Sequence, residues 1–130
     1  MKLLLRSISV VVGVSLIVFM FDVAKMLLVE GYHPLYPLID TECSSRFTIE
    51  KFEQIAIGDK KSFVIEQLGE PLYVRPEPGS SHQQYLFTTD GRASALAKGQ
   101  DYDDFAWFTT QIVIDQHDTV TTVRSWWSRD

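Results

Sequence analysis

Apolar residues recur with a helical period between residues 57 and 71. Val64 and Leu68 are four positions apart, so their side chains lie on one face of a helix, with Ile65 beside them. The segment is therefore predicted to be a short helix that packs one apolar stripe on another part of the chain.

The residues at the ends of this segment predict where the helix begins and ends. Asp59, which follows Gly58, is expected to be the N-cap, because its carboxylate can accept hydrogen bonds from the free N–H groups of the first turn. Gly69 is expected to end the helix in a left-handed conformation, and Pro71 prevents its continuation.

A second short helix is predicted at residues 48–55. Thr48 is the expected N-cap, and Phe52 and Ile55 lie three positions apart and face inward. Two short helices cannot bury their apolar stripes fully on each other, so they require a sheet.

Alternating apolar residues predict that sheet. Strands are expected at residues 84–88, 104–115 and 119–127, with a short extended segment at residues 72–75. In the second strand, the even positions that end in Ile112 and Ile114 are expected to face the helices.

The odd positions of that strand are expected to form an aromatic patch on the opposite face. Trp126 and Trp127 are adjacent, so one enters the core and the other is exposed near Phe105 and Trp107. The segment from Arg92 to Tyr102 is expected to be a long loop beside the patch, either mobile or in contact with a partner. The candidate binding residues are Phe105, Trp107, Trp126, Trp127, Arg92 and Tyr102.

A glycine, a short helix and a Leu-Gly-x-Pro sequence resemble the SmpA/OmlA (BamE-like) family of small envelope proteins. The matching residues are Ile57, Gly58, Val64, Leu68, Gly69 and Pro71, and the resemblance covers roughly residues 47–127. It implies an α+β fold in which two short N-terminal helices pack on a three-stranded antiparallel sheet (ααβββ). It also implies binding rather than catalysis.

Residues 1–29 are predicted to be an uncleaved transmembrane signal-anchor. Lys2 and Arg6 precede an apolar run that lasts to Phe21, and a helix over residues 3–21 spans a bilayer if Arg6 extends to the interface. The basic start favours a cytoplasmic N-terminus, which gives a single-pass protein of the inner (cytoplasmic) membrane with its C-terminal domain in the periplasm. A cleaved signal peptide and a buried helix are the alternatives, although the small residues of a cleavage site are missing.

A proline-containing linker is predicted at residues 30–46, followed by a BamE-like domain at residues 47–130. Cys43 is the only cysteine, so an internal disulfide is excluded. It is expected to be a partly buried thiol or to form an intermolecular disulfide.

Charge and motifs argue against several functions. The net charge of −5 is not the basic balance expected of a nucleic-acid-binding protein. The histidines are far apart, and the acidic residues near position 101 lack the glycine and terminal glutamate of a calcium loop. Neither a phosphate-binding loop nor a nucleophile elbow is present. No metal, cofactor or enzymatic activity is therefore expected.

These expectations indicate a membrane-anchored, extracytoplasmic module that binds another envelope protein. The resemblance implies that it supports an envelope assembly or maintenance complex. The alternative is an inhibitor or immunity-type binder of a soluble enzyme, because a helix pair on a sheet also resembles β-lactamase inhibitor proteins. The first hypothesis predicts co-purification with membrane complexes, and the second predicts a tight stoichiometric complex.

Overall fold

A computed structural model describes residues 2–100 and 105–129, with side chains from residue 12 onward within these ranges. The helices are α1 (Lys2–Leu28), α2 (Ile49–Phe52), α3 (Lys61–Leu68) and α4 (Arg92–Ala97). The strands are β1 (Thr41–Cys43), β2 (Tyr73–Pro76), β3 (Gln83–Asp90), β4 (Trp107–Ile114) and β5 (Val120–Ser128).

The strands form a five-stranded antiparallel sheet with the order β1-β3-β4-β5, in which β2 also pairs with β3. β2 pairs with the first half of β3 and β1 with its last residues, so β1 and β2 lie end to end along the same edge. The fold is α+β, but the predicted ααβββ arrangement is wrong. The additional strands have only three and four residues, too few to show a clear alternation.

The predicted transmembrane anchor is also contradicted. In the part of the chain whose side chains are described, no helix is both long enough and apolar enough to cross a membrane. The uncharged run there ends at Phe21, because Asp22 and Lys25 follow it within α1. The predictions of a transmembrane signal-anchor and of a single-pass inner-membrane location are therefore corrected by this finding.

The segment predicted to be a linker takes part in the fold. It contributes β1 to the sheet, and the side chains of its residues Tyr32 and Asp40 are buried. Beyond β1, the Ser44 hydroxyl donates a hydrogen bond of 2.5 Å to the carbonyl oxygen of Leu68. This bond ties the end of the segment to the last turn of α3.

The long loop predicted from Arg92 is a helix in its first part. α4 covers Arg92–Ala97, with the sequence Arg-Ala-Ser-Ala-Leu-Ala. Alanine, leucine and arginine are strong helix formers, so the composition of this segment already favours a helix. The remainder of the predicted loop includes residues 101–104, which lie outside the described residues.

The core lies between the short helices and one face of the sheet. Its buried side chains are Phe47, Phe52, Ile55, Val64, Leu68, Tyr85, Phe87, Ile112, Ile114 and Val120. Phe108 and Val123 are half-buried against this cluster. The even positions of β4 therefore face the helices, as the alternation predicts.

The start of α3 differs from the prediction. Lys60, not Asp59, occupies the N-cap position, and it makes no capping hydrogen bond with its side chain. The Asp59 carboxylate instead accepts a hydrogen bond of 2.8 Å from the N–H of Ala56, three residues earlier. The carboxylate thus stabilises the tight connection after α2 rather than the first turn of α3.

The end of α3 lies where it was expected, with Leu68 as the last helical residue. Gly69 has a φ of 82° and a ψ of −173°. This is not the left-handed helical conformation that was predicted, but an extended conformation with positive φ that only glycine adopts readily. Pro71 follows, half-buried, before the chain enters β2.

The turn between β4 and β5 is organised by the carboxylate of Asp115. Its Oδ1 accepts hydrogen bonds from the N–H groups of His117 at 2.8 Å and Thr119 at 2.9 Å. The bond from Thr119 is the largest cause that holds the pKa of Asp115 below its usual range, and the bond from His117 adds to it. The turn therefore favours the ionised carboxylate.

A depressed pKa in the folded state predicts how the stability of this turn depends on pH. The stabilising effect is present above the unfolded pKa of about 4 and is lost as the pH falls through the lower folded pKa. Asp115→Ala is therefore expected to lower the free energy of unfolding at neutral pH, with a difference from wild type that shrinks in acid. Urea denaturation at several pH values between neutral and about 3 measures this difference.

Asp115→Asn is the matched control, because its amide oxygen still accepts hydrogen bonds but carries no charge to titrate. A difference between wild type and Asp115→Ala that stays constant across this pH range would contradict the assigned role.

Candidate protein-binding surface

The sheet has a second face opposite the helices, which we call the outer face. Cross-strand pairs such as Thr109 with Trp126 and Gln111 with Arg124 place these residues on the same side. The outer face comprises Tyr73, Arg75, Gln84, Leu86, Trp107, Thr109, Gln111, Val113, Thr122, Arg124, Trp126 and Ser128. None of these belongs to the core cluster that the helices share with the sheet.

The two adjacent tryptophans near the end of β5 have different surroundings. Trp127 faces the core side, where its ring lies 5.0 Å from the ring of Phe108 and 5.0 Å from that of Tyr32. Trp126 lies on the outer face and remains 41% exposed. Trp107, half-buried, stands diagonally across from Trp126 in the register of the two strands. One exposed and one half-buried tryptophan thus occupy one end of the outer face.

The other predicted binding residues lie elsewhere. Phe105 precedes β4, and its ring makes an edge contact with His33 at 5.4 Å. Arg92 is the first residue of α4, where its N–H donates to the Asp90 carboxylate at 2.8 Å. Tyr102 lies outside the described residues. Of the predicted set, the structure brings only Trp107 and Trp126 together on the outer face.

A chain of polar side chains crosses the outer face from β2 to β5. The side-chain oxygen of Gln84 accepts a hydrogen bond of 2.6 Å from Arg75 Nε, and its amide nitrogen donates to the carboxylate of Glu77. The other oxygen of that carboxylate lies 3.9 Å from Arg124 Nη1. Two guanidinium groups and one carboxylate are thereby held at defined positions in front of the sheet.

Sequence reasoning missed Glu77 and Arg124 as part of this surface. Glu77 belongs to the connection between β2 and β3, which composition alone identifies only as a loop. The position of Arg124 could be predicted from the sequence. It lies two positions before Trp126 in a strand, so the two side chains share one face.

The centre of the outer face is buried. Val113 is 2% exposed and Leu86 is 8% exposed. The outer face therefore presents a firm surface with aromatic and charged groups at its margins.

A cavity of about 480 Å³ lies away from this face, between β1 and α4. Cys43 lines it beside Glu42 and the buried Asp40. Burial, and to a lesser extent the charge of Glu42, raises the pKa of the Cys43 thiol, so that little reactive thiolate is present at neutral pH. Of the two expectations for Cys43, the half-buried thiol is the one that this environment favours.

Metal chemistry has no visible basis in the described ranges, 2–100 and 105–129. Within them, no group of three or more histidine, cysteine, aspartate or glutamate residues is placed to hold a metal ion. The outer face presents the aromatic surface of Trp126 and the charged groups of Arg124 and Glu77.

Comparison of the chain with family models, with curated proteins and with solved structures gives no match. The resemblance to SmpA/OmlA (BamE-like) proteins therefore stays a prediction from the sequence.

Proposed function

We propose that this protein is a protein-binding module that recognises its partner with the outer face of the sheet. The observation that carries this proposal is the exposed indole of Trp126 beside Trp107 on a sheet face that α2 and α3 do not cover. Exposed aromatic surface in a folded protein often marks an interaction site.

The composition of the outer face supports the same function. Tryptophan and arginine are the residue types most enriched among those that contribute strongly to protein–protein binding. Here both tryptophans are anchored in paired strands, so little side-chain and backbone freedom is lost on binding. Arg124 is more than half exposed, and its weak ion pair with Glu77 leaves the guanidinium able to donate hydrogen bonds to a partner's carboxylate.

The binding mode expected from this geometry is an aromatic contact at one end of the outer face with charged groups beside it. Trp107 and Trp126 provide apolar area, while Arg75, Glu77 and Arg124 provide polar groups around it. This arrangement agrees with the binding function that the sequence resemblance implies, and it needs no catalytic group.

Trp107→Ala is expected to weaken partner binding strongly and to leave the fold intact. Truncation of a central interface tryptophan typically costs about 2 kcal/mol or more, which corresponds to a loss of roughly 30-fold in affinity. Quantitative affinity capture from extracts of the source cells, followed by a titration of the recovered partner, measures this loss. Circular dichroism of the variant checks the fold.

Ile57→Ala is the matched control, because Ile57 is 73% exposed but lies outside the outer face. It should bind as wild type does. If Trp107→Ala and Trp126→Ala both fold and both retain every partner that Ile57→Ala retains, the outer face is not the binding surface. If Trp107→Ala alone unfolds, Trp126→Ala provides the test.

A further inference from the structure

The two edges of the sheet are protected very differently. One edge consists of the short strands β1 and β2, and β2 ends at Pro76, which has no N–H to donate. The other edge is β5, which runs from Val120 to Ser128 and pairs only with β4 among the described strands.

The beginning of β5 makes backbone hydrogen bonds on its open side. The N–H of Val120 donates to the carbonyl oxygen of Asp59 at 2.9 Å, and the N–H of Gly58 donates to the carbonyl oxygen of Val120 at 2.9 Å. Over the described residues, no other backbone hydrogen bond reaches β5 from outside the sheet. Beyond Val120, the backbone of β5 therefore has no hydrogen-bond partner on this side among the described residues, although the end of the strand lies beside Glu30, which pairs with Arg129.

Natural proteins usually protect such an edge with lysine, proline or an inward-pointing charge. Residues 121–128 have the sequence Thr-Thr-Val-Arg-Ser-Trp-Trp-Ser, which contains no lysine and no proline. The irregularity in pairing lies opposite Val113 and Ile114, near the covered start of the strand. The open part of β5 is thus rich in strand-forming residues, and Arg124 is the single charged residue within residues 121–128.

We propose that β5 pairs in antiparallel fashion with β5 of a second copy of this chain, about a two-fold axis that passes through Ser125. The two sheets then become one continuous sheet, with the helices of both copies on the same side. This inference goes beyond the proposed function, because it uses the edge of the sheet and joins two outer faces into one.

The residues on each side of Ser125 are complementary in this register. Antiparallel pairing about Ser125 places Arg124 opposite Trp126 of the second copy, and the symmetry repeats this pair. A guanidinium beside an indole on the outer face is a favourable cation–π arrangement. On the core side, Val123 lies opposite Trp127 of the second copy, which gives an apolar cross-strand pair.

Neighbouring registers are less favourable. An axis through Arg124 places two arginines directly opposite each other, which is destabilising. An axis through Trp126 pairs Arg124 with Ser128 and loses both arginine–tryptophan pairs. An axis through Val123 pairs Trp126 with Val120, whose open side already binds Gly58 and Asp59. The sequence of β5 therefore favours the register in which the two-fold axis passes through Ser125.

The experiment measures the oligomeric state of the full chain by sedimentation equilibrium, in a mild non-ionic detergent that covers the exposed apolar side chains of α1. Wild type is expected to show a concentration-dependent dimer. Ser125→Asp places two carboxylates opposite each other at the axis, so the dissociation constant should rise at least 10-fold. Ser62→Asp, at an exposed serine of α3, is the matched control and should dimerise as wild type does.

A cysteine at the axis gives a second measurement that does not depend on the aspartate variant folding. In a Cys43→Ser background, Ser125→Cys should form a disulfide-linked dimer under mild oxidation, and Ser62→Cys should not. A monomeric wild type, an unchanged dimer of folded Ser125→Asp, or equal cross-linking at both positions would each overturn the proposal. Trp107→Ala should keep the dimer, which separates this test from that of partner binding.

Discussion

Leu68→Ala is expected to lower the free energy of unfolding by about 2–5 kcal/mol, the range typical of large-to-small changes in a core. Leu68 has no exposed surface, and it lies in the cluster that joins α2 and α3 to the sheet. Its backbone carbonyl also accepts the hydrogen bond from Ser44, so the position is held both by packing and by the polypeptide that precedes α2. Little relaxation is available to fill the cavity, which favours the upper half of the range.

Urea denaturation, monitored by near-ultraviolet circular dichroism, measures this change in the free energy of unfolding. Ile57→Ala is the control, because Ile57 belongs to the same sequence motif but is 73% exposed, so its effect should stay within about 0.5 kcal/mol. Equal losses for the two variants would show that Leu68 is not a core residue.

Gly69→Ala is expected to be the most damaging change at a glycine, with a loss of about 1–3 kcal/mol from backbone strain and a further loss from crowding. A Cβ at this position would stand 2.6 Å from Ser45 Oγ and 3.2 Å from the backbone nitrogen of Arg46. The serine hydroxyl can rotate away, but the backbone nitrogen cannot move without displacing the chain.

Gly58→Ala separates the two contributions. Gly58 also has a positive φ, of 99°, but a Cβ there would meet no atom within 4 Å. It should therefore show the strain without the crowding, and Gly69→Ala should lower the denaturation midpoint further. A larger effect at Gly58 than at Gly69 would contradict the packing described for the end of α3.

Local signals predicted the parts of the fold that depend on local interactions. The apolar spacing of Val64 and Leu68 located α3, and the glycine after it marked its end. Alternation in the last part of the chain identified β4, β5 and the opposite directions of Trp126 and Trp127. These features depend on residues that are close in sequence, so periodicity reports them.

The features that were missed depend on distant contacts or on competition between partners. β1 is a polar segment of three residues, Thr41–Cys43, and becomes a strand only because the end of β3 is available to it. Asp59 was predicted to cap α3 because aspartate is a frequent N-cap residue. Its carboxylate instead accepts a hydrogen bond from the N–H of Ala56. Neither outcome can be read from periodicity.

The candidate binding surface was predicted only in part, because some of its residues are placed by contacts between distant parts of the chain. Strand alternation placed Trp107 and one tryptophan of β5 on a common face, which needs no tertiary information. Glu77 lies near that face because the connection that carries it follows the pairing of β2 with β3. Phe105 does not lie on that face, because the chain before β4 contacts the segment around Gly31.

The pairing of β1 with β3 has a consequence for the order in which the molecule assembles. β4 and β5 are joined by a short turn, so their hairpin closes a small loop and can form early. Cys43 pairs with Thr88, and that contact requires the closure of a loop that contains both short helices and β2. The entropic cost of such closure grows with loop length, so it is repaid only once the intervening core has formed. The edge built by β1 is thus expected to form late, whereas the edge of β5 is expected to form together with the hairpin of β4 and β5.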